Sequence, residues 1–176
     1  MWVYRKLAEK DLLLSGRPEK QFVDGEGFSY LGRSHRLLIT DIDDVSLQRG
    51  RLLMLKALVA DDTAGRRLID WYRHQGKRWL PNGVQPWAAR TGLHPTGLDV
   101  RDLGYRWGSL SSNGRLNIHW ATLQLPSSLV DYVLVHAHVA HQQHAPKFWS
   151  VVERVMPDYE RRKSDLLTAG ARLWMG

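Results

Sequence analysis

The chain has 176 residues, of which 43% are hydrophobic and 24% are charged, and its formal net charge is +7. This composition is typical of a globular protein with one domain, or one domain and a small appendage. The absence of cysteine excludes disulfide bonds and thiolate metal ligands. No apolar stretch approaches the roughly 20 residues of a membrane span, and the first residues lack a secretory signal pattern, so we expect a cytoplasmic protein.

The N-terminal part predicts an irregular segment followed by short strands. Residues 1–27 are polar and rich in glycine and charge, which indicates a lead-in, and residues 28–176 are expected to form a single domain. Apolar runs beginning at Phe28, Arg36, Val45 and Leu52 are separated by glycine and aspartate. They predict a small β-meander.

The middle of the chain predicts helices and then a short β segment. A helix is expected to begin at Asp62 or Thr63 and to be interrupted at residues 81–83 by Pro-Asn-Gly, with a second short helix over residues 86–91. Strand-like sequence returns at residues 98–103 and 115–119, with a turn between them.

The C-terminal third predicts three helices. The first follows Pro126, the second opens at Pro146, and the third begins at Asp158 after Met156-Pro157. The predicted fold class is therefore α+β: a small N-terminal β-meander, helices, a short β segment, and a C-terminal helix that carries a cluster of histidines.

Four of the eight histidines lie within nine residues, at His136, His138, His141 and His144. Imidazole is the commonest metal-ligating side chain, so the cluster predicts a metal site. Zinc is the default metal for imidazole donors, although nickel and copper would also bind. The alternative is a row of partly exposed histidines at a helix end, where the helix dipole favours them.

Helix geometry restricts which of these histidines can share an ion. An α-helix turns about 100° per residue, so His136 and His138 point to nearly opposite sides. His138 and His141 share a face, and His144 follows near the expected helix end. No aspartate or glutamate lies between Asp131 and Glu153, so the carboxylate that would activate metal-bound water is missing from this segment.

The positive net charge permits a nucleic acid or another polyanion as partner. The basic residues are dispersed, with small clusters at residues 66–67, 77–78 and 161–163. The alternative is an ordinary solvated basic surface.

Three ordered blocks of sequence resemble the YgjP-like metallopeptidase domain, a zincin-type family related to the SprT-like proteases. The blocks are LGYRWGSLSS at residues 103–112 with Leu116-Asn117 and Trp120, the segment from Pro126 to His136, and Phe148-Trp149 with Glu153 and Met156-Pro157-Asp158-Tyr159. The resemblance implies a zincin-like fold, zinc as cofactor, and peptides or proteins as substrates.

The resemblance breaks at the motif that carries the metal. The family has His-Glu-Leu-Ala-His, with the third histidine six residues beyond the second. The upstream block aligns the first ligand with His136, and the downstream block aligns the second and third with His138 and His144. Both alignments hold only if Glu-Leu is missing, which leaves His136-Ala137-His138.

Loss of these two residues removes the general base and rotates the following ligands by about 200°. We therefore predict a metallopeptidase-like protein with weak or no activity and without a catalytic residue. Rescue by His141 as a replacement ligand, or by Glu153 as a base, is conceivable. The alternative functions are a non-catalytic basic scaffold that binds nucleic acid or a protein partner, and a defective or engineered copy of an active enzyme.

Overall fold

Two small β-sheets and a set of helices make up the described part of the chain. The structure is a computed structural model and describes residues 16–41, 44–139 and 145–176. The elements in chain order are β1 (Gly27–Tyr30), β2 (Arg33–Thr40), β3 (Ser46–Gln48), β4 (Arg51–Leu55), α1 (Lys56–Ala60), α2 (Ala64–Thr91), β5 (Gly97–Arg101), β6 (Gly108–Leu110), β7 (Arg115–His119), a 3₁₀ helix (Trp120–Gln124), α3 (Ser127–Val139), α4 (Ala145–Val155) and α5 (Tyr159–Gly170). The predicted α+β class is confirmed.

The first sheet contains the four predicted N-terminal strands, in the order β1-β2-β4-β3. It is not a simple meander, because β2 and β4 pair in parallel while β1 and β3 pair antiparallel at the two edges. This register places Leu37 directly beside Leu52, and both are 2% exposed. The parallel pairing therefore unites two apolar strand faces over the core.

Helix α2 corrects the prediction of an interruption at residues 81–83. It runs without a break for 28 residues, with Pro81 and Pro86 inside it. Both prolines lie on the exposed side, while Leu80 and Val84 are buried. A proline removes one backbone hydrogen bond, and on this side water can satisfy the carbonyl that it leaves unpaired. Burial of the opposite side keeps the helix continuous.

The second sheet has the order β5-β7-β6, with β5 parallel and β6 antiparallel to β7. The two predicted strand regions are confirmed, whereas the three-residue strand β6 is an addition. Strand β6 packs on α3. A Cβ built on Gly108 would lie 2.8 Å from the Cβ of Ala137, so glycine is needed for this close approach. The second sheet thus lies directly against the helix that carries the histidines.

The described residues before β1 contain turns but no strand. The division into a lead-in of residues 1–27 and one domain of residues 28–176 stays a prediction, because residues 1–15 lie outside the described part. None of the helices in the described ranges has both the length and the apolar character needed to cross a bilayer.

Candidate functional site

Helix α3 is the central helix of the C-terminal half. Its apolar run is buried on all sides, as expected for a helix with apolar residues around its whole circumference. The buried apolar residues are Leu129, Val130, Tyr132, Val133, Leu134, Val135, Ala137 and Val139. Helices α2, α4 and α5 and strands β6 and β7 pack around it. His136 and His138 therefore lie on a helix whose orientation is fixed by packing on several sides.

His136 lies in an aromatic cluster with α4. Its ring centroid is 5.1 Å from that of Phe148, 6.1 Å from that of Trp149 and 5.8 Å from that of Tyr132. The residue keeps access to solvent. Desolvation by these neighbours, together with the charge of Lys163, lowers the pKa of His136 below its usual value. The ring is therefore held in the neutral form that can donate to a metal.

His138 points to the other side of the helix and is 3% exposed. Its Nε2 lies 2.5 Å from the carbonyl oxygen of Leu93 and 3.4 Å from Oγ1 of Thr91. A carbonyl oxygen only accepts, so Nε2 carries the proton and donates it to Leu93. Burial lowers the pKa of His138 and keeps the ring neutral, with the nearby His94 acting in the same direction and the Leu93 bond opposing it.

The two described histidines of the cluster do not converge. His136 contacts α4, whereas His138 contacts the loop after α2, as their predicted separation around the helix requires. Within the described ranges, no three histidine, aspartate or glutamate side chains are grouped so that they could hold a metal ion. His141 and His144 lie outside the described residues.

The structure describes both carboxylates that border the cluster in sequence. Asp131 is half-buried, and Nε1 of Trp87 donates to its Oδ1 at 3.2 Å. Desolvation raises the pKa of Asp131 despite this bond. Glu153 is exposed on α4. Neither carboxylate has a described ion pair with His136 or His138, and Glu153 as a base stays a prediction.

A second buried histidine, His119, was not among the predicted site residues. It is 2% exposed, its Nδ1 accepts from the backbone N–H of Ala121 at 3.1 Å, and its Nε2 lies 3.3 Å from Oδ1 of Asp102. Burial lowers the pKa of His119, and the Asp102 carboxylate partly opposes this. The ring caps the 3₁₀ helix beside Trp107. The sequence carries no local signal for it, since its partners depend on how the loop before β6 folds back.

The sequence profile described as the YgjP-like metallopeptidase domain matches residues 1–169. No curated protein matches the chain. Among solved structures, the crystal structure of the metallopeptidase zymogen abylysin of Pyrococcus abyssi is 19% identical, with a TM-score of 0.48 over 55% of this chain and 99% of that chain.

Proposed function

The chain belongs to the YgjP-like metallopeptidase family, and we propose that it is a zincin-type metallopeptidase-like protein in which zinc binding and catalysis are both impaired. The family implies a metal cofactor, usually zinc, and peptide or protein substrates. Retention of the architecture is supported by the mixed α+β fold with α3 at its centre. Impairment is supported by the environment of the shortened motif.

The divergence of His136 and His138 is the observation that carries the proposal. In a His-Glu-x-x-His site, two histidines four residues apart lie on one helical face, and the glutamate takes a proton from metal-bound water. Here the two residues are separated by about 200°. Their rings contact opposite neighbours, Phe148 on one side and the Leu93 carbonyl on the other.

The described donors do not fit a shared zinc ion. Zinc in such a site would lower the pKa of bound water to about 7 and polarise the substrate carbonyl. His138 would have to release the Leu93 carbonyl before its Nε2 could reach a metal. His141 and His144 stay predicted ligands outside the described residues. We therefore derive no catalytic step through zinc in this chain.

The missing glutamate has its own kinetic effect. General-base assistance typically contributes a factor of about 10² to 10⁴ to the rate. Asp131 is bound to Trp87 and does not substitute for it, and Glu153 is exposed on α4. Peptide hydrolysis is therefore expected to be slower by at least this factor than in a family member with the complete motif.

Insertion of Glu-Leu between His136 and Ala137 tests the proposal, because it restores His-Glu-Leu-Ala-His and leaves the six-residue spacing from His138 to His144 unchanged. We expect the insertion to raise both bound zinc and hydrolysis of a fluorogenic peptide. The matched control inserts Ala-Leu, which restores the ligand spacing without the carboxylate, and should raise bound zinc alone.

Circular dichroism establishes that both insertion variants are folded. The proposal fails if the unaltered chain hydrolyses the peptide as fast as the Glu-Leu variant. It also fails if the folded Glu-Leu variant binds no more zinc than the unaltered chain.

A further inference from the structure

Three arginines surround a concavity on the N-terminal sheet, and no residue of α3 lines it. The concavity has a volume of about 620 Å³ and is lined by Asp24, Gly25, Ser34, Arg36, Leu37, Leu38, Arg49, Gly50 and Arg51. Arg36 and Arg51 are direct neighbours in the parallel register of β2 and β4. Neighbouring residues in register project to the same face of a sheet, so the two guanidinium groups share one side of it.

The positive charge of this arginine site is not neutralised by the described carboxylates. No ion pair to Arg36, Arg49 or Arg51 is formed within residues 16–41, 44–139 and 145–176. The one acidic residue of the lining, Asp24, uses its Oδ1 to accept from the backbone N–H of Ile39 at 2.7 Å. Like charges on adjacent strands repel each other and destabilise the sheet, and an anionic ligand would reduce this repulsion.

The arginine site is held in shape by local contacts. Nη1 of Arg36 donates to the Gly25 carbonyl at 2.8 Å, which fixes the direction of that side chain. Nδ1 of His35 lies 2.9 Å from the carbonyl oxygen of Gly50 and donates to it, which ties the turn between β3 and β4 to β2. These contacts partly preorganise the strands that carry the arginines, which reduces the entropy that binding of a ligand would cost.

Arg49 occupies a position that glycine or asparagine would fill with less strain. Its φ is 49° and that of Gly50 is 77°, so both residues of the two-residue turn are left-handed, as in a type I′ hairpin. The first position of such a turn rarely carries a long side chain. The chain thus places a third guanidinium beside the pair at the expense of backbone strain.

We propose that this arginine site binds the phosphate backbone of duplex nucleic acid. Arginine donates in a planar fork to phosphate oxygens, and the net charge of +7 favours the encounter. The lining contains no aromatic side chain. Single-strand binders stack bases on aromatic rings, so their absence from this lining favours recognition of a duplex through its backbone. The proposal concerns a different surface from α3 and does not depend on peptidase activity.

Fluorescence anisotropy with a short labelled duplex tests the proposal across about 50 to 200 mM salt. The triple variant Arg36→Gln, Arg49→Gln, Arg51→Gln should reduce the magnitude of the slope of log K against log salt by about 2 to 3, because each phosphate contact contributes about 0.9. At about 0.1 M salt this corresponds to a loss of affinity on the order of 10² to 10³-fold.

A matched control separates a local site from general charge. Arg66, Arg154 and Arg172 are exposed and lie outside the arginine site, so their replacement by glutamine changes the net charge equally. The control should keep the slope within about one unit. An equal loss in the control would overturn the proposal, as would failure of the unaltered chain to bind the duplex.

Arg49→Gly distinguishes binding from a purely structural role and guards against misfolding of the triple variant. Glycine relieves the left-handed strain, so this variant should unfold at a higher denaturant concentration than the unaltered chain. It should nevertheless bind the duplex more weakly, with a slope smaller by about one unit. Higher stability with unchanged binding would exclude Arg49 from the site and contradict the proposal.

Competing ligands provide the remaining outcomes. Displacement of the duplex by millimolar inorganic phosphate at constant ionic strength would indicate a small-anion site and overturn the proposal. Tighter binding of a single strand than of the duplex would also overturn it. So would Arg36-dependent binding to phosphatidylserine vesicles without binding to the duplex.

Discussion

His138 is predicted to act as a structural hydrogen-bond donor rather than as a metal ligand. The replacement His138→Leu tests this, because leucine fills a similar volume but cannot donate to the Leu93 carbonyl. His138 is 3% exposed, and the Nε2–O distance of 2.5 Å marks a direct bond across 45 residues of sequence. Loss of the donor should weaken the attachment of the loop after α2 to α3.

The expected loss of stability follows from the Leu93 carbonyl, which His138→Leu leaves without a hydrogen-bond donor. A buried or part-buried acceptor without a partner destabilises a fold by about 1 to 3 kcal/mol. For a domain of this length, each kcal/mol changes the midpoint of thermal unfolding by about 2 to 4 °C. We therefore expect a decrease in the midpoint of roughly 2 to 12 °C.

The assay is urea unfolding of the unaltered chain, His138→Leu and His136→Leu, with and without a chelator. His136 makes ring contacts and no described side-chain hydrogen bond, so its replacement should reduce the free energy of unfolding by less than half as much. Both differences should be the same in the presence of the chelator. The reasoning is refuted if His138→Leu is as stable as the unaltered chain in chelator, which would mean that His138 stabilises only a metal-bound form.

Three further predictions concern packing and pH. Gly76→Ala should destabilise the chain by about 1 to 3 kcal/mol, because the new Cβ would lie 2.9 Å from Cγ2 of Val100. The matched substitution Gly83→Ala places its Cβ no nearer than 3.4 Å to any neighbour, so it should stabilise helix α2 by up to about 1 kcal/mol. Pro86→Ala should raise the free energy of unfolding by about 1 to 3 kcal/mol, since the proline is exposed within a continuous helix. Stability should fall as the pH decreases below about 6.5, because burial lowers the pKa of His119 in the folded chain and the unfolded chain then binds the proton more readily. Thermal or urea unfolding measures all three.

Each of these predictions has an outcome that contradicts it. Equal midpoints for Gly76→Ala and Gly83→Ala would mean that α2 does not approach β5 as closely as described. A less stable Pro86→Ala would show that the proline fits a required kink. His119→Asn keeps an acceptor for the backbone N–H of Ala121 but has no ring that titrates, so its pH profile should lose part of the acid sensitivity. An unchanged profile would assign that sensitivity to other groups.

The local features of the fold could be predicted from the sequence. The strands beginning near Phe28 and Leu52 follow from short apolar runs, and the opposite directions of His136 and His138 follow from the turn of a helix. The pairing of β2 with β4 could not be predicted, because it depends on which strand faces unite over the core. The continuity of α2 through Pro86 likewise depends on burial of its other side.

The candidate site could likewise be predicted from the sequence only in part. The family resemblance located the shortened motif, since its blocks are contiguous in sequence. The Leu93 carbonyl that holds His138 lies 45 residues away, and no local pattern indicates it. The arginine site was likewise not predicted, because it depends on the register that sets Arg36 beside Arg51.

Zinc stoichiometry tests the central claim most directly. The purified chain is equilibrated with zinc, freed of excess metal by gel filtration, and measured by inductively coupled plasma mass spectrometry. We predict well below one zinc ion per chain, and no change when His138 is replaced by leucine. One tightly held zinc ion per chain, lost in His138→Leu, would contradict the account.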